Sequence, residues 1–351
     1  MDLAAALTAR LKERARAAGL DAVGVAAAGP LDRDGAALAA WLSGNKQAGM
    51  AWMAREPEKR ADPAILLPGC RAVVVAAMNY WPGADEAEPR AGEGRVALYA
   101  RGRDYHKVLG AKLKALAAWL DAESGATSRA FVDTGPVLER AWAERAGVGW
   151  IGKNANLLTR GMGSWLLLGE ILTTAALDPD EGPHAEFCGS CTACLDACPT
   201  GAIESAGVVN AHRCISYWTI EHRGAIPEER RPGLDDWIFG CDVCQTVCPW
   251  NVSFAQETSA DAFSRRDDLR SLDAEEILGL DEATFRARYS GTALMRATWR
   301  GMRRNSCIVL GNLGRPSSLP ALRRALVDDD PVVRDHAAWA IARIVANDPE
   351  A

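Results

Sequence analysis

Short apolar runs alternate with longer amphipathic stretches over the first half of this chain. AVVVAAMNY (72–80) and SWLLLGEILTT (164–174) have the length and apolar continuity of buried strands. Between them, YHKVLGAKLKALAAWLDAE (105–123) returns apolar residues with the period of a helix. The N-terminal MDLAAALTARLKERARAAGLDAVGV reads as an amphipathic helix running into a strand. This alternation predicts an α/β unit over residues 1–178. Asp178-Pro179 opens a loop, and a cysteine-bearing unit is expected over 179–260. The rest, 261–351, reads as mainly helical. Within it RNSCIVLGNLG (304–314) and RDHAAWAIARI (334–344) align at an offset of 30 residues, with small or apolar residues in step. VDDDPVVRDHA supplies an Asp-Pro helix start between them. The repeat predicts HEAT-type helix pairs, the alternative being a plain helical cap on the core.

Composition adds limits. The chain has 351 residues, enough for two or three domains. With 48% hydrophobic and 25% charged residues it is composed like a soluble globular protein. A net charge of −6 argues against nucleic-acid binding over the whole surface but leaves room for a local basic patch. Charges interrupt the N-terminal stretch, so no signal peptide is expected. The longest apolar run, AVVVAAM (72–78), is far short of the roughly 20 residues a membrane helix needs. A cytoplasmic protein with no membrane contact is the expectation.

The ten cysteines change the picture most. They cluster tightly beside a large apolar core, which favours metal binding in a reducing compartment over disulfides. CGSCTACLDACPTGAI carries C-x2-C-x2-C-x3-C-P from Cys188, and CDVCQTVCPW echoes it from Cys241, one cysteine short. In two-cluster ferredoxins the fourth cysteine of such a run ligates the other cluster. Cys188, Cys191 and Cys194 then belong with Cys248 in one 4Fe–4S cluster. Cys198, Cys241 and Cys244 belong to the second, and Cys214, in HRCISYWT between the motifs, is assigned as its fourth ligand. Zinc is the alternative, but zinc pairs usually recur as C-x2-C. Cys70 and Cys307 read as small buried hydrophobes. Two clusters pass single electrons without choosing a substrate, so a redox acceptor is expected in the first unit.

Two motifs there stand out: YARGRDYHK (99–107) and FVDTGPVLERAWAERAGVGWIGKNANLL (131–158). Asp133 follows a strand end and precedes a Thr-Gly-Pro turn, a place that faces ligands. Buried beside a flat apolar cofactor it would have a raised pKa and serve as proton donor. The alternative is that Asp133 or Thr134 caps the next helix. Lys153 could meet an anion, and Tyr105 and His106 could be acid–base groups or structural ones.

YARGRDYH, FVDTGP with ERAGVGWIGKN, GSWLLLGEILT, CGSCTACLDACPTGAI, HRCISYWTIEHRG and GCDVCQTVCPWN together resemble the epoxyqueuosine reductase family, in order over about 50–255. The family is related to reductive dehalogenases. The resemblance implies an α/β cobalamin-binding catalytic domain, a ferredoxin-like domain with two 4Fe–4S clusters and a HEAT-like tail, an α+β/α fold class. It implies reduction of epoxyqueuosine to queuosine at the wobble position of tRNA, with base-off cobalamin reduced through the clusters and Asp133 giving a proton. Motif position marks Arg55, Tyr105, His106, Asp133, Lys153, Asn154, Ser164 and Ser216 as cobalamin contacts. His106 is not expected to ligate cobalt, because Asp104, His106 and Gly110 form D-x-H-x-x-x-G, one residue longer than the cobalamin pattern D-x-H-x-x-G.

FRARYSGTALMRATWRGMRRN (285–305) has six arginines and no acid. Arg296, Arg300, Arg303 and Arg304 recur at helical spacing and are expected on one face toward phosphates, with Trp299 stacking on a base and Arg223 nearby. The alternative is a solvated basic face balanced by the acids at 328–330. An external donor such as a flavodoxin or ferredoxin system and a monomeric state complete the expectations. A pure electron carrier would need neither the large first unit nor the basic tail. An adaptor without catalysis would not need two clusters. A dehalogenase would usually be exported.

Overall fold

The computed structural model describes residues 3–84, 89–183 and 185–347. The extreme ends of the first and last expected units, 1–2 and 348–351, lie outside the described residues. Helix α1 (Leu3–Ala17) buries Leu11 and Ala15 and leads into β1 (Ala22–Ala27). Helix α2 (Asp32–Ser43) and strands β2 (Ala72–Asn79) and β3 (Glu93–Val96) follow. Next come α3 (Tyr105–Ser124), β4 (Ser128–Phe131) and α4 (Glu139–Arg145). A small hairpin, β5 (Trp150–Ile151) and β6 (Leu157–Leu158), precedes β7 (Leu166–Thr173).

Strands β1, β2, β7 and β4 lie in that order in one sheet, every pair antiparallel. Helices cover both faces, which is why β2 is apolar at every step but its last. Val74, Ala76 and Met78 share a core with Leu11 of α1 and Leu109, Leu113 and Leu116 of α3. Val73, Val75 and Ala77 share another with Ala141, Trp142 and Ala143 of α4. Asp104 caps α3 by accepting the amide of His106 at 3.1 Å, and Gly125, in the left-handed region, ends it.

The cysteine-bearing segment holds a hairpin, β8 (Ile203–Ser205) and β9 (Val208–Val209), then β10 (Trp237–Phe239). Strand β11 (Ser271–Asp273) opens the tail. β3 pairs in parallel with β10 and antiparallel with β11, so each of the three segments gives one strand to a second sheet. Val96, Phe239, Leu272 and Phe285 continue as one core into the tail helices α5 (Thr298–Leu313), α6 (Leu319–Ala325) and α7 (Pro331–Asn347). The 30-residue offset superposes α5 on α7, and these two helices lie against each other. Cys307 is fully buried between them. Among the described residues no helix is long and apolar enough to cross a membrane.

Candidate active site and cluster-binding segment

Each cysteine run makes a short helical turn, Ala193–Asp196 and Val243–Thr246, before its Cys-Pro step. The two turns pack together. Cys194 has Cys188, Cys248 and Cys191 as neighbours. Cys241 has Cys214 and Cys244, while Cys244 has Cys214, Cys198 and also Cys194. The thiols weigh on one another in charge along the expected lines, Cys194 with Cys188, Cys191 and Cys248, and Cys214, Cys241 and Cys244 together with Cys198, with Cys194 also weighing on Cys244. Burial, reinforced by the neighbouring thiols, pushes Cys194, Cys214 and Cys241 up, and Cys244 up to about 12. Cys198 runs the other way. Burial works to raise it, but hydrogen bonds from Ala202 and Thr200 outweigh burial, the Ala202 amide reaching its Sγ at 3.2 Å. Such a crowd of thiols gives up its protons readily only where a bound metal centre compensates the charge.

The first unit braces these loops. Lys153 Nζ donates to the carbonyls of Gly189 (2.6 Å) and Cys191 (3.0 Å). Asn154 Nδ2 donates to the Cys244 carbonyl at 3.1 Å. Ser164 Oγ accepts from Gln245 Nε2 (3.1 Å) and Asn251 Nδ2 (2.9 Å). Two glycines make this possible. A Cβ on Gly149 would lie 2.0 Å from the Leu158 carbonyl oxygen, blocking the β5–β6 hairpin. One on Gly163 would lie 2.1 Å from Asn251 Oδ1. The Ser216 amide and hydroxyl turn to the Cys214 thiol. The side chains of Lys153, Asn154, Ser164 and Ser216, expected at the corrin, are therefore spent on the cysteine loops, and Asn154 and Ser164 are buried. Arg55 is exposed at the end of the turn Ala51–Ala54.

Asp133 stands two residues past the end of β4 in the left-handed region, φ +55°, a strained place for a non-glycine residue. Neither it nor Thr134 caps α4, whose N-cap is Leu138. Instead Glu139, in the first turn of α4, reaches back and accepts the Asp133 amide at 2.5 Å. Asp133 Oδ2 lies 3.1 Å from His106 Nε2, and His106 Nδ1 lies 2.8 Å from Asp104 Oδ1. The Tyr105 ring stacks on His106 at 4.1 Å, and its hydroxyl also bonds Asp133.

His106 holds the Asp133 carboxyl below its usual range, against opposing burial and with help from Tyr105 and Arg140. His106 is raised in return, first by Asp133. The expected raised pKa of Asp133 is therefore reversed in this structure. Its side chain is 55% exposed and has a cation beside it, so desolvation does not win. The raised carboxyls lie behind it. Burial, then the charge of Asp133, pushes Glu139 up to about 7, and burial raises Glu170 further.

The tail arginines divide. Arg296 lies in the turn Ala293–Ala297, ahead of α5, and Thr298, the first residue of α5, is at φ +68°. The single arginine face expected from spacing does not form. Arg303 is buried, donates to the Leu278 carbonyl at 2.9 Å and pairs with Asp328. Arg304 is 1% exposed and gives its protons to the carbonyls of Trp218, His222 and Gly224 and to Asn305. Burial brings its pKa down to about 9. Trp299 donates to the Leu280 carbonyl and lies under Arg303. Both arginines are excluded as phosphate contacts by burial. Arg300 remains open at 74% exposure. Arg296 makes a two-point pair with Glu221, and Arg223 donates to the carbonyls of Ile220 and Arg296.

Sequence reasoning passed over Glu139, Glu170, Asp242, Gln245 and Asn251. Glu170 carried a signal: a single acid inside the apolar strand SWLLLGEILTT is costly unless it serves a site. Glu139 looked like an ordinary acid in a first helical turn.

Residues 187–251 match a family model described as a 4Fe–4S double cluster binding domain. Residues 60–134 match one described as epoxyqueuosine reductase QueG, DUF1730, and 292–351 match HEAT repeats. Fold and site thus define an iron–sulfur oxidoreductase with a HEAT-repeat tail. Epoxyqueuosine reductase of Gloeobacter violaceus is 44% identical, covering 87% of this chain and 96% of its own. That of Xanthomonas campestris is 43% identical over 95% of each. A crystal structure of epoxyqueuosine reductase with an epoxyqueuosine-modified tRNA-Tyr stem loop superposes with a TM-score of 0.91, at 33% identity, covering 97% of this chain and 90% of that one. The Bacillus subtilis enzyme, solved with its catalytic aspartate loop swung out of the active site, gives 0.90 at 32% identity over the same shares. The chain belongs to the epoxyqueuosine reductase family. The double-cluster match gives the chain two 4Fe–4S clusters. The residues present fit two clusters: the two runs and the turn at Cys214 supply eight free cysteines.

Proposed function

We propose that Asp133 is the proton donor when this enzyme reduces epoxyqueuosine to queuosine at the wobble position of tRNA. One observation carries the reading. Leu98 donates its amide to Asp242, the residue beside Cys241, at 2.7 Å, and the ring of the next residue, Tyr99, lies 6.1 Å from that of Tyr105, whose neighbour His106 bonds Asp133, so a short path of contacts joins the carboxylate to the second cysteine run. In this reading Cys188, Cys191, Cys194 and Cys248 hold the first cluster, and Cys198, Cys214, Cys241 and Cys244 hold the second, nearer the substrate. When bound, the clusters would carry single electrons and a cobalamin would supply the low-valent metal chemistry for reducing the substrate ring.

The chain does the rest. Removing the epoxide oxygen as water takes two electrons and two protons. Asp133 rests ionised against His106, so the proton it delivers at its carboxyl oxygen is taken up from the His106 ring, 3.1 Å away and raised by that contact, while Tyr105 helps orient the carboxyl. Asp104 fixes the His106 ring from behind. Tyr105, His106 and the exposed Arg55 remain the candidates for cobalamin contact. Arg296, Arg300 and Arg223 are the candidates for the tRNA backbone. An external flavodoxin or ferredoxin system supplies the electrons, and the enzyme works as a cytoplasmic monomer.

The test is anaerobic turnover of epoxyqueuosine-containing tRNA with cobalamin and a strong reductant, read by nucleoside mass. Wild type yields queuosine. Asp133→Asn keeps iron and cobalamin but loses turnover by roughly 100-fold or more. Full activity in that variant removes Asp133 as donor, and no product from fully loaded wild type defeats the functional reading.

A further inference from the structure

Two carboxyls behind Asp133 have no part in that scheme. Glu170 lies in β7 opposite Phe131 of β4 and Val75 of β2. It is fully buried, and neither carboxyl oxygen has a hydrogen-bond partner among the described residues. Its charged neighbours are Glu139 and Asp133. A carboxylate there would be an uncompensated charge inside a sheet, so Glu170 stays protonated. Glu139 also faces Asp133, with His106 of α3 and Arg140 of its own helix as the nearby cations. Three carboxyls this close do not all ionise. His106, Tyr105 and Arg140 draw the charge to Asp133.

The Asp133 amide makes its hydrogen bond to Glu139 Oε1, and that bond fixes a residue held in the left-handed region. We propose that Glu139 is the positioning residue for Asp133: its carboxyl seats the strained loop by accepting the Asp133 amide, with the buried, unpartnered Glu170 behind it. This rests on the reading of Asp133 as proton donor. Ionising Glu139 sets a second buried anion against Asp133, at the place where the substrate oxygen gains negative charge as its carbon–oxygen bond breaks. The raised value of about 7 puts that ionisation within reach of a pH profile. Turnover therefore falls as pH rises through neutrality, because the active form is the protonated one.

The test uses holoenzyme with counted iron and cobalamin. In Glu139→Ala, kcat drops roughly 10- to 100-fold with KM for tRNA little changed, as for a displaced catalytic group. Glu139→Gln keeps a carbonyl acceptor but cannot ionise. It restores most of kcat and lacks the wild-type fall through neutral pH. A second measurement does not use activity: amide hydrogen exchange in the Asp133–Gly135 loop speeds up in Glu139→Ala and stays slow in Glu139→Gln. Wild-type kcat in Glu139→Ala, an unchanged alkaline fall in Glu139→Gln, or equal exchange in both variants would overturn the proposal. If Asp133→Asn proved fully active, the functional reading of Asp133 would fall, while the exchange measurement would still decide whether Glu139 seats the loop.

Discussion

A carboxylate just past a strand end can cap the next helix or turn outward. At Asp133 the helix takes its N-cap elsewhere and Glu139 takes the amide, which leaves the carboxylate to His106. The pair titrates in two opposite directions. Asp133 is lowered, so its share of stability exists above the ordinary Asp value and is lost as pH falls through its folded value. His106 is raised, so its share is full below the ordinary His value and is lost as pH rises through its folded value. His106→Asn should therefore cost most stability between about pH 4 and 6.5, and progressively less above. Because Asp133 is half exposed, the pairing component should stay below about 1 kcal/mol. Denaturant unfolding of both proteins across pH reads this, and a pH-independent difference would mean that the ring only packs. Asp133 was legible as a candidate because a strand end and a turn are local features. Its titration direction was not, because it is set by a histidine 27 positions away.

The segment after Cys214 winds as one π-type turn, Tyr217–Glu221, a form common at functional sites. Its carbonyls and those just after it are held from α5: Arg304 binds Trp218, His222 and Gly224, and Asn305 Nδ2 binds Thr219, tying it also to Ile238 of β10. Arg304→Lys cannot reproduce that fork. It should cost about 3 kcal/mol in stability, since buried carbonyls lose their donors. It should also make the cluster next to Cys214 labile, seen as iron falling from about eight toward four per chain in air. An iron count and melting temperature equal to wild type would show that the turn is held by packing alone. The contrast with the cysteines is instructive. C-x2-C-x2-C-x3-C-P is a local spacing, so sequence alone shows that a double-cluster segment is there. Reading the arginines as one face assumed an unbroken helix in water. The φ of +68° at Thr298 breaks the first assumption, and burial of Arg303 and Arg304 breaks the second. Neither is visible without knowing what packs on α5.

At the scale of the whole molecule, the three segments share a sheet and a core, so the tail is fixed relative to the site. Arg296 neighbours Asp133 and Tyr105 in charge, which places the start of the tail beside the candidate active site. With a net charge of −6, attraction for RNA has to be local, and of the four arginines expected on one face Arg296 and Arg300 are left exposed. Arg300 has only a loose partner, Asp330 at 3.7 Å, whereas Arg296 must first leave its two-point pair with Glu221. Arg300→Ala should therefore weaken tRNA binding more than Arg296→Ala. The double variant should flatten the slope of log affinity against log salt by about 1.5, the counterion release of two phosphate contacts. Arg303→Lys should leave affinity and slope alone in the folded protein, since its guanidinium serves Leu278 and Asp328. Fluorescence titration of an epoxyqueuosine stem loop at several salt concentrations measures all four proteins. An unchanged slope in the double variant would move the RNA-binding face away from the start of the tail.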